Sequence, residues 1–498
     1  MEINIETGLK NRIPEFFIHT LSLLFFPEDN IFGKNKSGNY INIFSGNITK
    51  TTAELGVKIY YNTKNTEKKR VINIKDFSSG KNFTAIAGRV FFEAAYEITG
   101  IKPPWGIHTG IRPAKFAGAV LESHNFNEKA AIGVLTKKYL MSKNKAELAV
   151  NTYKNRVYEV SKNEFSLYIS IPFCPTRCDY CSFISYASPK LLKLIPEYLK
   201  KLSQELVLLG KLTQNLNLRL KTVYIGGGTP AVLSAEELGF VLCAVRDNFD
   251  LDGILEYSVE LGRADVITPG KLELLKKHGV NRVSLNPQSL NDEVLKKNGR
   301  AHTAEEFFEA FRLIGDFEFR SINADCIMGL PFETFESMIK TVEGVCFLRP
   351  ENITLHTLCI KKSAELKKKA EYTPADPGLN RVIDMCYNIL KSAGFKPYYL
   401  YRQKYASGNL ENTGFCLDGH ECLYNVYMMD EIQTIFGAGA GAVSKLVKLE
   451  HGEKGEQETR IERIVNYKYP FEYTANDFKI ESVKNKTKLE ILRSGIYL

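Results

Sequence analysis

Short apolar runs alternate with longer amphipathic segments from Phe165 onward. The short runs are typical of buried strands, and the longer segments, with apolar residues every three to four positions, are typical of helices. The predicted strands are Ser166–Ile171, Thr222–Ile225, Glu256–Val259, Arg282–Leu285, Arg320–Ala324 and Ile353–His356. The predicted helices between them include Pro189–Leu209, Ser234–Asn248, Pro269–His278, Ala304–Ile314 and Glu333–Phe347. This alternation predicts an α/β fold with a parallel barrel or partial barrel.

The first 155 residues have a different pattern, which predicts a separate α+β domain. Lys58–Tyr61 and Val71–Ile74 are typical of strands, and the polar, basic segment Asn62–Arg70 between them is predicted to be a turn. Helices are predicted over Phe83–Thr99, Glu128–Tyr139 and Lys145–Val157. The boundary of this domain is predicted within Asn155–Glu164.

The last part of the chain predicts a C-terminal α/β extension, with a helix at Asp384–Ala393 and a strand at Tyr398–Tyr401. The small residues of Thr434–Ser444, TIFGAGAGAVS, allow close backbone packing or the close approach of a ligand. We therefore predict three domains, over residues 1–155, 164–374 and 375–498.

The composition is that of an ordinary soluble globular protein, with 44% hydrophobic and 25% charged residues. The most apolar early run, Phe16–Phe26, is interrupted by His19 and is too short to span a bilayer. No basic segment with an apolar core and a cleavage site opens the chain. We therefore predict a cytoplasmic protein without a membrane partner.

The net charge of +9 is concentrated in residues 1–150, which hold 21 Lys and Arg against 13 Asp and Glu. Such an excess indicates either a polyanionic partner or a solvated basic face without a ligand. The interleaved aromatic residues of a stacking platform are lacking, so a nucleic-acid partner is not expected.

Three cysteines follow the first predicted strand of the barrel, with the spacing C-x3-C-x2-C at Cys174, Cys178 and Cys181. Pro172 and Pro175 prevent a strand or helix from continuing, so the thiols are predicted on a loop. Three thiolates suit a soft metal or an iron–sulfur cluster. A structural zinc site needs four ligands, and no fourth Cys or His lies near. The spacing favours a [4Fe–4S] cluster with one open iron over a zinc site completed from afar or unligated thiols.

Polar or glycine-rich segments follow each predicted strand of the barrel. They are the cysteine loop, GGGTP at 226–230, Glu260, NPQ at 286–288, Asp325 and Thr357. Because the carboxyl ends of parallel barrel strands share one face, these segments predict one site. Glycines let the backbone approach a ligand, and Glu260 and Asp325 can accept hydrogen bonds from hydroxyls or an ammonium group. Arg300 can donate to a carboxylate, and Gln288 can donate and accept.

The triplet resembles the signature of radical S-adenosylmethionine (SAM) proteins. Tyr168, IPFC at 171–174 and Tyr180 resemble the oxygen-independent coproporphyrinogen III oxidase branch, also called coproporphyrinogen dehydrogenase. GIRPAK at 110–115, YLYRQK at 399–404, GNLEN at 408–412 and ECLYN at 421–425 resemble its HemZ-type group. The resemblance implies a radical SAM partial (β/α)6 parallel barrel, with Cys174, Cys178 and Cys181 as ligands of a [4Fe–4S] cluster. It implies SAM contacts at Tyr168, Gly227, Gly228, Thr229, Glu260, Gln288, Arg300 and Asp325.

The same resemblance implies that one electron from the cluster cleaves SAM to methionine and a 5′-deoxyadenosyl radical. The leading implied function is oxidative decarboxylation of coproporphyrinogen III to protoporphyrinogen IX in heme biosynthesis. The implied partners are a tetrapyrrole substrate or heme, and a low-potential electron donor such as flavodoxin or ferredoxin. The decarboxylating enzymes carry a fourth Cys two positions after the triplet, where this chain has Phe183. The alternatives are a heme-binding chaperone that inserts heme into partner proteins, and a radical SAM methyltransferase that modifies or degrades tetrapyrroles.

A loop of the first domain, residues 102–115, holds the one Trp of the chain, Trp105, together with His108, Arg112 and Lys115. It is either a tight Pro/Gly connector anchored by Trp105, which the sequence alone favours, or a site for carboxylates or phosphates. Our hypothesis is that Arg112 and Lys115 help to position an anionic substrate.

Overall fold

The computed structural model describes residues 1–26, 38–78, 80–156, 161, 163–182, 186–360, 364–367, 378–403, 406–451 and 457–478. The chain forms two compact units. Unit 1 comprises Met1–Lys154, Tyr401–Lys404 and Gly408–Leu410, and unit 2 comprises Asn155–Leu400, Tyr405–Ser407 and Glu411–Leu498. Among the described helices, none is long and apolar enough to cross a membrane.

Unit 1 is built on a four-stranded sheet whose order follows the chain. Its strands are β1 (Glu2–Ile5), β2 (Tyr40–Ile48), β3 (Thr52–Tyr61) and β4 (Lys64–Asn73). Its helices are α1 (Glu15–Phe25), α2 (Ile74–Ser78), α3 (Gly80–Thr99), α4 (Pro113–Ser123), α5 (Glu128–Lys137) and α6 (Lys143–Lys154). β1 lies parallel to β2, and the other pairs are antiparallel. Phe25 of α1 packs edge to face on Phe92 of α3, with 5.2 Å between ring centroids.

The strand β4 corrects the sequence analysis. The predicted basic turn Asn62–Arg70 is wrong, because the chain pairs with β3 in unbroken antiparallel register from Lys64 onward. The turn is confined to Asn62 and Thr63. Only Thr66 and Ile72 of β4 are buried, so the strand shows no apolar alternation. Charged residues protect an edge strand from pairing with other chains. In β4 they also replace the apolar pattern by which a strand is predicted from the sequence.

Unit 2 carries the predicted alternation of strands and helices. Its strands are β5 (Glu164–Ile171), β6 (Arg219–Gly227), β7 (Glu256–Gly262), β8 (Arg282–Leu285), β9 (Ser321–Met328), β10 (Asn352–Thr357), β11 (Lys396–Arg402), β12 (Glu411–Cys416), β13 (Thr434–Ala438), β14 (Val443–His451) and β15 (Gln457–Val465). Its helices are α7 (Pro189–Leu192), α8 (Ile195–Asn215), α9 (Ala235–Asn248), α10 (Pro269–Lys277), α11 (Asp292–Lys297), α12 (Ala304–Gly315), α13 (Phe335–Leu348), α14 (Leu379–Ser392), α15 (Leu423–Asp430) and α16 (Pro470–Ala475).

Strands β5 to β10 lie side by side and parallel, as the six predicted strands require. The sheet has the order β11-β12-β10-β9-β8-β7-β6-β5-β13-β14-β15, so its described strands do not close into a full barrel. The partial barrel is confirmed. The predicted helix Pro189–Leu209 is in fact two helices, α7 and α8. The second helix begins at Ile195, so that Pro196, which lacks an N–H, falls in its first turn.

The C-terminal strands extend both sides of the same sheet. β12 pairs antiparallel with β10, and β13 pairs parallel with β5, from Thr434↔Phe165 to Ala438↔Ile169. The predicted division of unit 2 near residue 375 stays a prediction.

Small residues after β13 allow close backbone packing. A Cβ on Gly439, whose φ is +93°, would lie 2.6 Å from the carbonyl oxygen of Ser170. The buried carboxylate of Glu205 on α8 accepts hydrogen bonds from Gly439 N at 2.7 Å, Asn466 Nδ2 at 2.9 Å and Tyr473 OH at 2.7 Å. These hydrogen bonds connect α8 to the turn after β13, to the residue after β15 and to α16.

Candidate functional site

The three cysteines lie on the loop that follows β5, called here the cysteine loop (residues 172–182). Cys174 and Cys178 are buried, and Cys181 is half-buried. The N–H of Asp179 donates to the carbonyl of Asn298, just after α11, at 3.0 Å. The backbone of the loop is therefore held by the connection between α11 and α12.

The glycine-rich end of β6 holds the other side of the cysteine loop. Gly228 N donates to Ile171 O, and Thr229 N donates to Phe173 O, both at 2.8 Å. A Cβ on Gly228 would lie 2.5 Å from the carbonyl oxygen of Phe173, so only glycine permits this approach. The Thr229 hydroxyl lies 3.4 Å from the Sγ of Cys174.

Arg300 is buried behind the cysteine loop, and its guanidinium is occupied by protein groups. Its Nη1 lies 3.4 Å from the Tyr180 hydroxyl and 3.9 Å from the Sγ of Cys178. The Nη2 donates to the carbonyl of Gly262 at 2.9 Å and also to the carbonyl of Asn286. The arginine thus positions the loop, and its direct contact with SAM stays a prediction.

An apolar shell surrounds part of the thiols. Cys178 and Tyr180 belong to one buried cluster with Val294, Ile327, Leu330, Leu358 and Leu366. Among the described residues, no three His, Cys, Asp or Glu side chains are arranged to hold a single metal ion. In a [4Fe–4S] cluster, each cysteine thiolate binds a different iron. A donor set of three cysteines in an apolar shell fits such a cluster.

Beyond the cysteine loop, aromatic side chains of two neighbouring strands stack inside the partial barrel. The rings of Tyr168 on β5 and Tyr224 on β6 lie 6.3 Å apart at 25°. Tyr424 of α15 packs against both, at 4.5 Å from Tyr224 and 6.0 Å from Tyr168. Burial raises the pKa of all three phenols, so they are neutral hydrogen-bonding groups at physiological pH.

Glu260 lies beside this stack. The pKa of its carboxyl is raised to about 7, mainly by burial and also by the nearby Asp325 carboxylate, while hydrogen bonds from Tyr224 and Gly227 oppose the shift. The Tyr224 hydroxyl donates to Oε1 of Glu260 at 2.5 Å. The carboxyl can therefore change its protonation state near neutral pH.

Asp325 on β9 pairs with His356 on β10, with 3.6 Å between Oδ2 and Nε2. Burial alone would raise the pKa of Asp325, but its hydrogen bonds with His356 and Asn323 hold that pKa below its ordinary value. Burial would lower the pKa of His356, but the Asp325 carboxylate raises it overall. The other ring nitrogen of His356 lies 3.3 Å from Oδ1 of Asn412. A carboxylate and an imidazole thus form a polar pair at this end of the strands.

Gln288 has an unusual backbone and an unpaired side-chain atom. Its φ is +68°, and its backbone exchanges hydrogen bonds with Asp325 and Ile327 at 3.0 and 2.9 Å. The side-chain Oε1 is buried with no hydrogen-bond partner. An unpaired buried acceptor is costly, which fits a residue that awaits a ligand.

The structure brings the predicted SAM contacts to the same end of the parallel strands, whereas the side chain of Thr357 binds elsewhere. Thr357, predicted as the polar end of the sixth strand, instead donates to the carbonyl of Glu411 at 2.7 Å. The preceding residue, His356, faces Asp325. The sequence analysis also missed Tyr224 and the role of Tyr424. Tyr224 could have been found by its two-residue spacing from Gly226, whereas the position of Tyr424 depends on distant contacts.

Comparisons with known proteins agree with this geometry. Residues 168–345 match the Radical SAM superfamily. The chain is 39% identical over 365 residues to the oxygen-independent coproporphyrinogen-III oxidase-like protein HemZ of Bacillus subtilis, covering 71% of this chain and 72% of HemZ. It is 27% identical over 346 residues to the heme chaperone HemW of Haemophilus influenzae, covering 65% of this chain and 85% of HemW.

Among solved structures, coproporphyrinogen III oxidase HemN of Escherichia coli, a radical SAM enzyme, superposes with a TM-score of 0.50. The sequence identity is 21%, and the match covers 63% of this chain and 69% of HemN. At this identity the likeness concerns the fold, and it agrees with the partial barrel.

Proposed function

The chain belongs to the HemZ-like family of coproporphyrinogen-III oxidase-like proteins in the radical SAM superfamily, and from that premise we propose that it oxidatively decarboxylates coproporphyrinogen III to protoporphyrinogen IX. Its cofactors are those of the superfamily, a [4Fe–4S] cluster and SAM. The observation that carries the proposal is the 39% identity to HemZ over most of the chain.

We propose that Cys174, Cys178 and Cys181 ligate the cluster. Thr229 and Arg300, which lie against Cys174 and Cys178, would hold the thiols in place. The apolar shell around Cys178 would keep water from the cluster and so influence its potential.

The proposed contacts with SAM lie along the carboxyl ends of the strands. Glu260 and Asp325 would accept hydrogen bonds from ribose hydroxyls or the ammonium group, and Gln288 would use its unpaired Oε1. Tyr168 would stack or donate from the aromatic side of the site. Gly227 and Gly228 would leave room for the methionine part of SAM, and Thr229 would lie beside it.

When bound, the cluster and SAM supply one-electron cleavage chemistry that yields a carbon-centred radical. In the proposed overall reaction, each of two propionates becomes a vinyl group by losing carbon dioxide, one hydrogen atom and one electron. The hydrogen atom would go to the 5′-deoxyadenosyl radical derived from SAM, and the electron would go to a separate one-electron acceptor. The chain's contribution is to orient the two cofactors, to exclude water and to bind the substrate. Partners under this proposal are a tetrapyrrole and a low-potential electron donor such as flavodoxin or ferredoxin.

The test is anaerobic turnover of coproporphyrinogen III with SAM and a reductant, followed by mass spectrometry. We expect protoporphyrinogen IX and 5′-deoxyadenosine, both absent with Cys178→Ala. Protein with a full cluster that cleaves SAM but leaves the porphyrinogen unchanged would contradict the proposed substrate.

A second candidate is a heme chaperone, favoured by the match to HemW and by Phe183 in the position of the fourth Cys. Stoichiometric heme binding with transfer to an apo-hemoprotein, and no porphyrinogen turnover, would support it. A methylated or ring-opened tetrapyrrole would instead support the methyltransferase alternative.

A further inference from the structure

Unit 1 contains a cavity of about 550 Å³, which lies within the roughly 300–1,000 Å³ range of ligand sites. Its lining comes from three separate parts of the sequence: the segment around Lys10 to Phe17, the start of α3, and the 107–110 loop with Phe116 and Tyr139. All of these residues belong to unit 1. The cysteine loop and the proposed SAM contacts belong to unit 2, and none of their residues is among the described residues that line the cavity.

The wall of the cavity is largely aromatic and apolar. Phe116 stacks on His108 at 4.6 Å and meets Tyr139 edge to face at 4.7 Å. Phe17 and Ala85 add apolar surface. Such a wall suits a flat, apolar ligand, which can place a face against the rings.

Glycine is required for the loop that forms this wall. A Cβ on Gly106, whose φ is +57°, would lie 2.1 Å from the carbonyl oxygen of Tyr139. The N–H of Ile107 donates to that same carbonyl at 2.9 Å. Trp105 is almost fully buried and receives Arg402 over its ring at 5.7 Å. The loop is thus an anchored structure, as the connector interpretation predicts, and it also lines the cavity.

His108 adds a polar atom without a partner. Burial and, to a smaller extent, the nearby Arg402 lower the pKa of its imidazole to about 3, so the ring is neutral. Its Nε2 is buried without a hydrogen-bond partner. A buried polar atom that is left unpaired costs free energy, and a ligand group beside it would remove that cost.

The solvent side of the cavity is polar and basic. Lys10 and Asn11 line it and are exposed, and Arg12 lines it and is partly exposed. No acidic residue is among the described residues that line the cavity. The ligand should therefore combine an apolar body with anionic groups, a combination that suits Lys and Arg as partners.

We propose that this cavity is a second tetrapyrrole site, in which the macrocycle packs against Phe17, Phe116 and Tyr139 and peripheral carboxylates bind Lys10 and Arg12. The ligand class rests on the proposed function. The site would bind substrate or product within unit 1, whereas the cysteine loop belongs to unit 2. The cations differ from Arg112 and Lys115 of the sequence hypothesis, neither of which lines the cavity.

The test is a fluorescence titration of the full-length, cluster-loaded protein with coproporphyrin III, which carries four carboxylates and is stable in air. Ala85→Trp fills the cavity, and Lys10→Glu reverses a charge beside it. Lys115→Glu makes the same charge change on an exposed residue of α4 outside the cavity. A thermal melt of each variant separates binding from folding.

We expect Lys10→Glu and Ala85→Trp each to weaken one binding event per chain at least about tenfold, or about 1.4 kcal/mol, with Lys115→Glu unchanged. Lys10→Glu should melt at the wild-type temperature and should still cleave SAM.

Normal binding by both cavity variants would overturn the inference and leave the proposed function intact. Loss of binding in Lys115→Glu alone would contradict the cavity and would indicate that the porphyrin binds near the start of α4. If the wild-type protein cleaved SAM but bound no porphyrin, the result would instead contradict a tetrapyrrole as the substrate in the proposed function.

Discussion

The polar end of the partial barrel and the apolar cavity of unit 1 are built in opposite ways. In the barrel, polar side chains extend from the ends of regular strands and mostly bind one another, as Glu260 does with Tyr224 and Asp325 with His356. In unit 1, the segment from Lys10 to Phe17, the start of α3 and the 107–110 loop with Phe116 and Tyr139 enclose a largely apolar space. The barrel end can be recognised by its motif, whereas the cavity becomes visible only once the chain has folded.

The largest expected effect is the loss of the cluster in the barrel without any loss of ligand binding in unit 1. Cys178→Ala should abolish the [4Fe–4S] cluster, because it removes one of the three proposed thiolate ligands. Iron and sulfide analysis after anaerobic reconstitution measures this. Cys346→Ala, on α13, is the matched control and should keep full iron content. Porphyrin binding to the unit 1 cavity should persist in both variants, and a cluster retained in Cys178→Ala would exclude the proposed ligand set.

The next effect concerns SAM. Glu260→Ala and Asp325→Ala should keep the cluster and weaken SAM binding by about ten- to a hundredfold, since each removes a charge-assisted acceptor worth about 1.5–3 kcal/mol. Isothermal titration of the reconstituted protein measures the affinity. Glu336→Ala, on the surface of α13, should bind SAM normally. If both site variants also bound SAM normally, the predicted contacts would be wrong.

A smaller effect is a pH dependence from Glu260. With a pKa of about 7, the carboxyl is mostly protonated at pH 6 and mostly ionised at pH 8, so SAM affinity should rise about tenfold over that range. The groups that face it are Tyr224, Asp325 and, through Asp325, His356. In Glu260→Gln this rise should disappear. Glu333→Gln, which removes another buried carboxyl with a pKa near 7, should retain the rise.

The same residue gives a stability test with a defined sign. Because folding raises the pKa of Glu260, the folded state favours the protonated form, and the residue destabilises the fold as pH rises from about 4.5 through 7. Glu260→Gln should therefore melt at a higher temperature than wild type at pH 8 and at a similar temperature at pH 5. A stabilisation of equal size at both pH values would show that the charge is not its cause.

The smallest effect is expected at the charged edge strand β4. Lys68→Ala and Lys69→Ala remove exposed cations that pair with Glu97 and Glu54 at the surface. Exposed pairs contribute little, so the melting temperature and coproporphyrin III affinity should stay unchanged. A clear loss of porphyrin affinity would indicate that the overall basic charge, and not the cavity, attracts the ligand.

The sequence predicted the barrel well because its signals are local. The strand Arg282–Leu285 has the predicted bounds, and the cysteine loop follows β5 as its prolines require. Predictions failed where local pattern and tertiary role differ. β4 is a strand without apolar alternation, and His356 rather than Thr357 faces Asp325 because side-chain direction depends on register.

The remaining features depend on contacts between distant residues. Tyr424 reaches Tyr168 because a C-terminal helix returns to the first strands of the barrel. The cavity combines residues near positions 10, 85, 108 and 139, none of which forms a motif by itself. No local pattern encodes such proximity. The sequence indicated either an anionic partner or a solvated basic face for this region, and its hypothesis named Arg112 and Lys115, which do not line the cavity.

The position of β13 beside β5 has a consequence for the order in which the protein can mature. The strand that leads into the cysteine loop has one neighbour, β6, from the next part of the chain and another, β13, from residues 434–438. At about 5–20 residues per second, a ribosome needs roughly 15–50 s to pass from the first of these strands to the last. Until then β5 has an unpaired side, and Glu205 lacks the N–H of Gly439 that it will bind. Stable assembly of the iron–sulfur centre should therefore follow the synthesis of β13, and nascent chains stalled before residue 434 should not retain iron.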